Sequence, residues 1–406
     1  MNELEIAQIV KALKNSKKVN LAKQIEENWD KTCLEYSRDI NNSHKANQKL
    51  EPLMKKALTV ELKRLDHPPV QIKEILKYLE DHRTIQTTPH MSPSGKPRYF
   101  FVNWLASLSL KKNDYYPVAM FSGIPFSNAT RPGRLCSQKG NINLFESTRQ
   151  DVLVYRSKIG EKMIAELEKL PDQLKKLFPK AKLGESYTKW ALKSSEKIEG
   201  KFLKGKPIFF DFNEVANNYL LLAIKNKNHP IYKILFTKKD RKKIGLLFAN
   251  EIFFYGSVKK GKYEVMEGFN LRDGYLESPS RKILLTPDNI KIEIENGLCA
   301  GLPLGFLIFT FLNHFKCFGS FAQTEYLPMY KKDFKKTSCL KKYHLENAPA
   351  ENLTTTGGFP LCPNLHPLDL YQGEKLKIKK DMLFGEVIMA IKDVLLHQNY
   401  SVNMIK

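Results

Sequence analysis

Thr84-Ile85-Gln86-Thr87-Thr88-Pro89-His90-Met91-Ser92-Pro93-Ser94-Gly95-Lys96-Pro97 is the stretch whose reading decides the fold of this chain. It reads as a strand over His82–Thr88, a tight polar loop and a helix start. The apolar Tyr99–Leu110 continues the helix, and Tyr116–Ser122 forms a second, buried strand. A β-loop-α-β unit of this order directs the unpaired N–H groups of a helix N-terminus toward a loop at the carboxyl end of a strand. Anions and nucleotides are commonly held there.

Within the loop, Ser94 or a polar neighbour is expected to cap the helix, and Pro97 is pre-shaped for the first helical position. Ser92, Ser94, Gly95 and Lys96 then make a phosphate cradle: Gly95 admits close backbone approach, and Lys96 adds a mobile cation to the positive helix end. His90, near the strand end, is the candidate for proton transfer. The Gly-rich patterns of P-loops and dinucleotide folds are absent.

Working outward, residues 1–80 read as a helical cap. Leu4, Ile6, Ile9, Val10 and Leu13, and then Leu50, Leu53, Leu58, Leu62 and Leu65, recur at helical spacing. His67-Pro68-Pro69 breaks the pattern before a helix over Val70–His82 that buries Ile72, Ile75, Leu76 and Leu79. Residues 81–156 form the first part of an α/β core, because strands alternating with helices argue for a parallel sheet joined by right-handed crossovers. Ser122–Asn143 reads as an irregular ligand loop over the same sheet edge, bringing Asn128, Arg131 and Arg134 to it. Cys136 beside these arginines is a weaker candidate for a thiolate.

Residues 157–205 read as a charged helical insertion and 206–406 as the second part of the core. Ile208–Phe212 restarts strand character, and a buried strand region is expected from Leu246 through Tyr255. Asp211, Asn213 and Glu214 admit two readings, a hydroxyl or cation site or a plain helix N-cap. Tyr255–Thr286 has the turn residues of a β meander, including Asp273-Gly274. Gly301-Leu302-Pro303 starts a buried helix running to Leu312, which is too short to cross a bilayer of roughly 20 residues' span. Gln323, Glu325 and Tyr326 follow a turn, in an arrangement suited to an amine or hydroxyl substrate, with a surface salt bridge or helix cap as the other reading of Glu325. Thr354–Gly358 reads as a loop and Met382–His397 as a closing helix.

The chain has 406 residues, 42% hydrophobic and 11% aromatic, enough to bury a large core. Its formal charge of +23 is carried mainly by dispersed lysines, which argues against nucleic-acid binding as the main role, since that role favours clustered arginine. Cys33, Cys136, Cys299, Cys317, Cys339 and Cys362 form no C-x-x-C pair, so zinc and other metals have no support, and a reduced cytoplasmic setting is expected.

Ser92-Pro93-Ser94-Gly95-Lys96 resembles the P-S-G-K element before the adenylate-binding helix of tryptophanyl- and tyrosyl-tRNA synthetases, members of the HUP superfamily. Arg98-Tyr99-Phe100-Phe101 stands where their His-x-Gly-His would follow, so the resemblance covers the nucleotide-binding fold and not tRNA charging. The order of Gln86, His90, Tyr116–Met120, Gly319-Ser320 and Gln323–Tyr326 is similar to that in the cysteine-adding enzymes of bacillithiol synthesis, without their Gly-Gln-Gln and Glu-Asp-His-Asp motifs. The resemblances imply an α/β protein with a Rossmann-like, HUP-like parallel sheet. They imply a nucleotide such as ATP as cofactor, and a ligase or transferase joining an amine- or thiol-bearing compound to a nucleotide-activated or acidic small molecule. Under that expectation His90 and Glu325 are catalytic. Gln86, Ser92, Ser94, Gly95, Lys96, Asn128, Arg131, Arg134, Gln323 and Tyr326 bind substrate. The competing expectation is a basic, non-enzymatic protein that binds nucleic acid or a protein partner.

Overall fold

The central strands of this chain's parallel sheet form where short runs are buried on both faces. The computed structural model describes residues 3–42, 49–94, 97–146, 151–351, 365–376, 379–390 and 392. Its strands, in chain order, are β1 (Thr84–Gln86), β2 (Tyr115–Met120), β3 (Arg134–Ser137), β4 (Gly140–Asn143), β5 (Lys206–Asp211) and β6 (Phe254–Lys260). They continue with β7 (Tyr263–Leu271), β8 (Tyr275–Glu277), β9 (Lys282–Leu284), β10 (Cys299–Ala300) and β11 (Lys316–Phe318).

Four of them make a parallel sheet in the order β5-β2-β1-β11. All six residues of β2 are buried, as a central strand covered on both faces requires. Numbered along the chain, the order is 3-2-1-4, that of the first four strands of a doubly wound fold. The architecture is therefore mixed α/β, with a Rossmann-like parallel sheet flanked by helices. A second, antiparallel sheet, β10-β6-β7-β8-β9, carries the expected meander. Its β6–β7 hairpin turns on Gly261 (φ +62°) and Lys262, with Lys260 opposite Tyr263.

The first strand is shorter than the His82–Thr88 expected. Helix Pro69–His82 runs to the last residue before the reversal, and Arg83 turns the chain in a left-handed conformation (φ +48°). The Arg83 side chain is buried, its guanidinium donating to Asn313 O at 2.5 Å. The following helix, Pro97–Ser107, does begin at Pro97. Ser122–Asn143 is not wholly irregular: it contains the β3–β4 hairpin, paired from Arg134–Asn143 to Ser137–Gly140. The strand expected from Leu246 starts only at Phe254, because Leu246 and Leu247 complete helix Lys238–Leu247 and Leu246 lies in solvent. Thr354–Gly358 lies outside the described residues, and of the closing helix only Phe384–Met389 is described as helical.

Helix Pro52–Arg64 packs against helix Phe212–Ala223 and buries Met54, Ala57, Leu58, Leu62 and the acidic Glu61. Within the charged stretch 157–205, helix Tyr187–Gly200 buries Trp190, Ala191, Leu192 and Ile198 and packs on β5. It thus helps to form the crossover from β2 to β5. Among the described residues no helix is long and apolar enough to cross a membrane.

Gly301 joins β10 to the buried helix Leu302–Phe306, which continues as a π-helix over Leu307–Leu312. A Cβ at Gly301 would lie 2.1 Å from the Ile252 carbonyl oxygen, which belongs to backbone and cannot swing away. Gly301→Ala is expected to destabilise the protein by about 3 kcal/mol. Gly160→Ala, with nothing within 4 Å of the added Cβ, is expected to stay within about 0.5 kcal/mol. Urea-unfolding midpoints of the two variants test the contrast.

Candidate functional site

In the order β5-β2-β1-β11, the chain leaves β1 toward β2, while β11 lies on the other side of β1. The carboxyl ends of β1 and β11 are therefore the topological switch point, where the crevice of an open α/β sheet lies. The end of β1 supplies Gln86, Thr87 and Thr88, and the end of β11 leads through Gly319 into helix Gln323–Phe334. The Thr87 hydroxyl lies 3.0 Å from Gln323 Oε1, and the Tyr326 hydroxyl lies 3.4 Å from the same oxygen. Gln323 donates its amide to Cys317 O and lies so close over Gly319 that a Cβ there would meet Gln323 Oε1 at 2.2 Å. Gln86 is fully buried and accepts from Thr88 N at 2.7 Å. Thr88 Oγ1 is buried nearby without a hydrogen-bond partner among the described residues. Gln323 and Tyr326, from the second half of the chain, are thus brought to Thr87 at the end of β1, while Gln86 is buried within the strand.

The loop after β1 runs alongside the end of β2. His90 pairs with Phe121 as a parallel bridge, Met91 N donating to Phe121 O at 2.8 Å. The His90 side chain is half-buried, with Nδ1 3.4 Å from Asn128 Oδ1 and its ring 6.0 Å from those of Tyr99 and Phe121. Asn128 also accepts from Thr130 N through Oδ1 and from Arg131 N through its backbone carbonyl, so one residue touches both His90 and the Arg131 turn.

The expected cradle is more enclosed than an open phosphate site. Ser92 and Ser94 are buried: Ser92 O accepts from Ser195 Oγ at 2.7 Å, and Ser94 Oγ accepts from Cys136 N at 3.4 Å. The β3–β4 hairpin, which carries Cys136, accounts for this. Gly95 and Lys96 lie outside the described residues.

Asp211, at the end of β5, is the N-cap of helix Phe212–Ala223, accepting from Asn213 N and Glu214 N and from Ser122 Oγ at 2.7 Å. Asn213 Oδ1 accepts from Ser122 N and Gly123 N, both at 2.9 Å, pinning the end of β2. Of the two readings of this trio, the structure carries the N-cap. Glu61, fully buried, accepts from Asp211 N at 2.9 Å and is gripped by both arms of the Arg64 guanidinium at 2.6 and 2.8 Å. Burial opposes the charge on Arg64, but Glu61 more than restores it. Burial, reinforced by the Glu61 charge, holds the Asp211 carboxyl well above the usual carboxylate range. Among the described residues no group of three or more His, Cys, Asp or Glu side chains is placed to hold a metal ion.

Of the two readings of Glu325, the structure carries the helix cap. Its carboxylate caps helix Val19–Asn28, accepting from Leu21 N at 2.9 Å and Asn20 Nδ2 at 3.1 Å, and so ties the N-terminal helices to helix Gln323–Phe334. Burial raises its proton affinity against the pull of these donors. Arg134 lies in β3, and Arg131 lines a cleft of about 480 Å³ together with Ser137, Gln138, Asn141 and His366. Ser137, Gln138 and Asn141 lie in the segment read as a ligand loop, but His366 had no sequence signal, since nothing local relates a hairpin to a residue more than 200 positions later.

No known family matches the chain, and no curated protein or solved structure is significantly similar to it. The likeness to synthetases and cysteine-adding enzymes is supported at the level of a generic parallel α/β sheet.

Beneath the crevice, Tyr116 donates to Asn103 Oδ1 at 3.2 Å, and Asn103 donates to Glu199 Oε2 at 2.7 Å. Burial pushes the Glu199 carboxyl up to about 7 from an ordinary 4.5, against the Asn103 hydrogen bond. Between those values the folded state holds a proton that the unfolded chain releases, so this group's contribution to stability falls as pH rises through that window. Glu199→Gln keeps an acceptor for Asn103 and removes the titration. Wild type and variant are expected to match near pH 5 and to diverge by up to about 3 kcal/mol in favour of the variant above pH 8. Urea unfolding at the two pH values measures the difference.

Proposed function

We propose that the protein is a biosynthetic ligase or transferase that holds a nucleotide-activated or acidic small molecule at the switch point and joins an amine- or thiol-bearing compound to it. The observation that carries this reading is the switch point at the carboxyl ends of β1 and β11. There Thr87, Gln323 and Tyr326 meet, and the buried Thr88 hydroxyl next to them in the chain has no partner among the described residues. Buried polar atoms are ordinarily satisfied, and an exception at a strand's carboxyl end suits a ligand contact. The eleven-residue helix Pro97–Ser107 begins at the end of the adjoining loop, so its positive end favours an anionic group such as the phosphates of ATP. His90, half-buried and 3.4 Å from Asn128, takes the proton from the attacking amine or thiol. Glu325 has no part in this scheme, because its carboxylate caps a helix.

A thermal-shift series with ATP, AMP, amino acids and small thiols at fixed ionic strength is expected to show stabilisation by a nucleotide. Gln323→Ala should weaken that stabilisation. His90→Ala should leave it intact while lowering turnover of the coupled substrate by about 10²- to 10⁴-fold. Absence of any nucleotide effect, together with tight and steeply salt-dependent binding to an arbitrary DNA duplex, would favour the basic binding protein instead.

A further inference from the structure

The cleft beside the β3–β4 hairpin has a lining of one chemical character. Arg131, Ser137, Gln138, Asn141 and His366 contribute a guanidinium, a hydroxyl, two carboxamides and an imidazole, with no carboxylate among them. Such a set offers hydrogen-bond donors around a fixed positive charge and suits an oxygen anion. About 480 Å³ is room for a small metabolite.

The walls are held in place from behind. Asp369, 1% exposed, accepts from Gln138 N at 2.9 Å through one oxygen and from His366 N at 2.7 Å through the other. It ties the hairpin to the His366 segment, and both of its oxygens are engaged in doing so. On the opposite side Arg131 is in a left-handed backbone conformation (φ +54°), stabilised by Arg131 N donating to Asn128 O at 2.7 Å and Arg134 N donating to Arg131 O at 3.2 Å. Glycine takes that conformation without strain, whereas a side chain there is costly. The position nevertheless carries an exposed arginine at the cleft.

We infer that this cleft is a binding site for a small molecule bearing a carboxylate or phosphate group, which the Arg131 guanidinium and the His366 imidazole hold, with Gln138 and Asn141 completing its hydrogen bonds; the Ser137 hydroxyl donates instead to Gly140 O at 3.1 Å, closing the hairpin. The site is separate from the switch-point crevice and does not depend on the reaction proposed there. Asn128, in contact with His90 through its carboxamide and with Arg131 through its carbonyl, is the residue the two share.

The test uses the full chain with inorganic phosphate, pyrophosphate and malonate, each titrated at constant ionic strength set by sodium chloride, with melting temperature as readout. Wild type is expected to show a saturable rise with at least one of these anions. Whether the phosphates or malonate produce it distinguishes the two headgroups. Arg131→Gly, which relieves the left-handed backbone, should melt no lower than wild type without anion and require at least tenfold more anion for half the shift. Asn141→Asp, an exposed hairpin position given a like charge to the ligand, should weaken binding as well. Lys259→Ala, exposed on β6, should retain the full response. An unchanged response in Arg131→Gly, an equal loss in Lys259→Ala, or no anion effect beyond sodium chloride would each overturn the assignment.

Discussion

The carboxylate of Glu61 holds the sheet edge together. It is fully buried, and a buried charge is tolerated only when paired and hydrogen-bonded. Arg64 supplies the charge through a two-armed contact, and Asp211 N supplies the remaining hydrogen bond. Through Asp211 the constraint passes to the first turn of helix Phe212–Ala223, and through Ser122 to the end of β2. The start of the loop that leads on to Asn128 and Arg131 is therefore anchored by a residue of an N-terminal helix.

Part of the large positive charge is also structural. Lys316, at the start of β11, points inward and donates to the carbonyls of Asp39 and Ile40, at the end of helix Cys33–Asn41. Burial lowers its proton affinity to about 8. Lys331 donates to the carbonyls of Glu346 and Ala348 and to the Glu351 carboxylate. Both neutralise backbone acceptors that would otherwise be buried and unpaired. These lysines contribute to the net charge without adding to a basic surface.

Much of the architecture was legible before any coordinates. The β-loop-α-β unit, the helix start at Pro97, the meander with its glycine turns and the buried segment after Gly301 all follow from local rules. Where a reading needed correction or stood between two alternatives, a distant partner decided the matter in three cases. The first strand is cut short by Arg83, whose left-handed turn is secured by Asn313. Ser94, expected to face an anion, is buried against the hairpin's Cys136. At Glu325 the helix-cap reading prevailed over the catalytic one, the capped helix lying about 300 residues earlier in the chain.

Sequence alone determined the class of the fold and the position of its β-loop-α-β unit, because helical and strand periodicity, proline and glycine turns and helix starts are set by neighbouring residues. Only the tertiary structure decided which ends meet there. β11 is three residues long and pairs with β1 more than 200 residues away, a choice that no local pattern encodes. The same holds for the burial of Glu61, the cap made by Glu325 and the cleft between Arg131 and His366, where the energy of each contact depends on what the folded chain places on its other side.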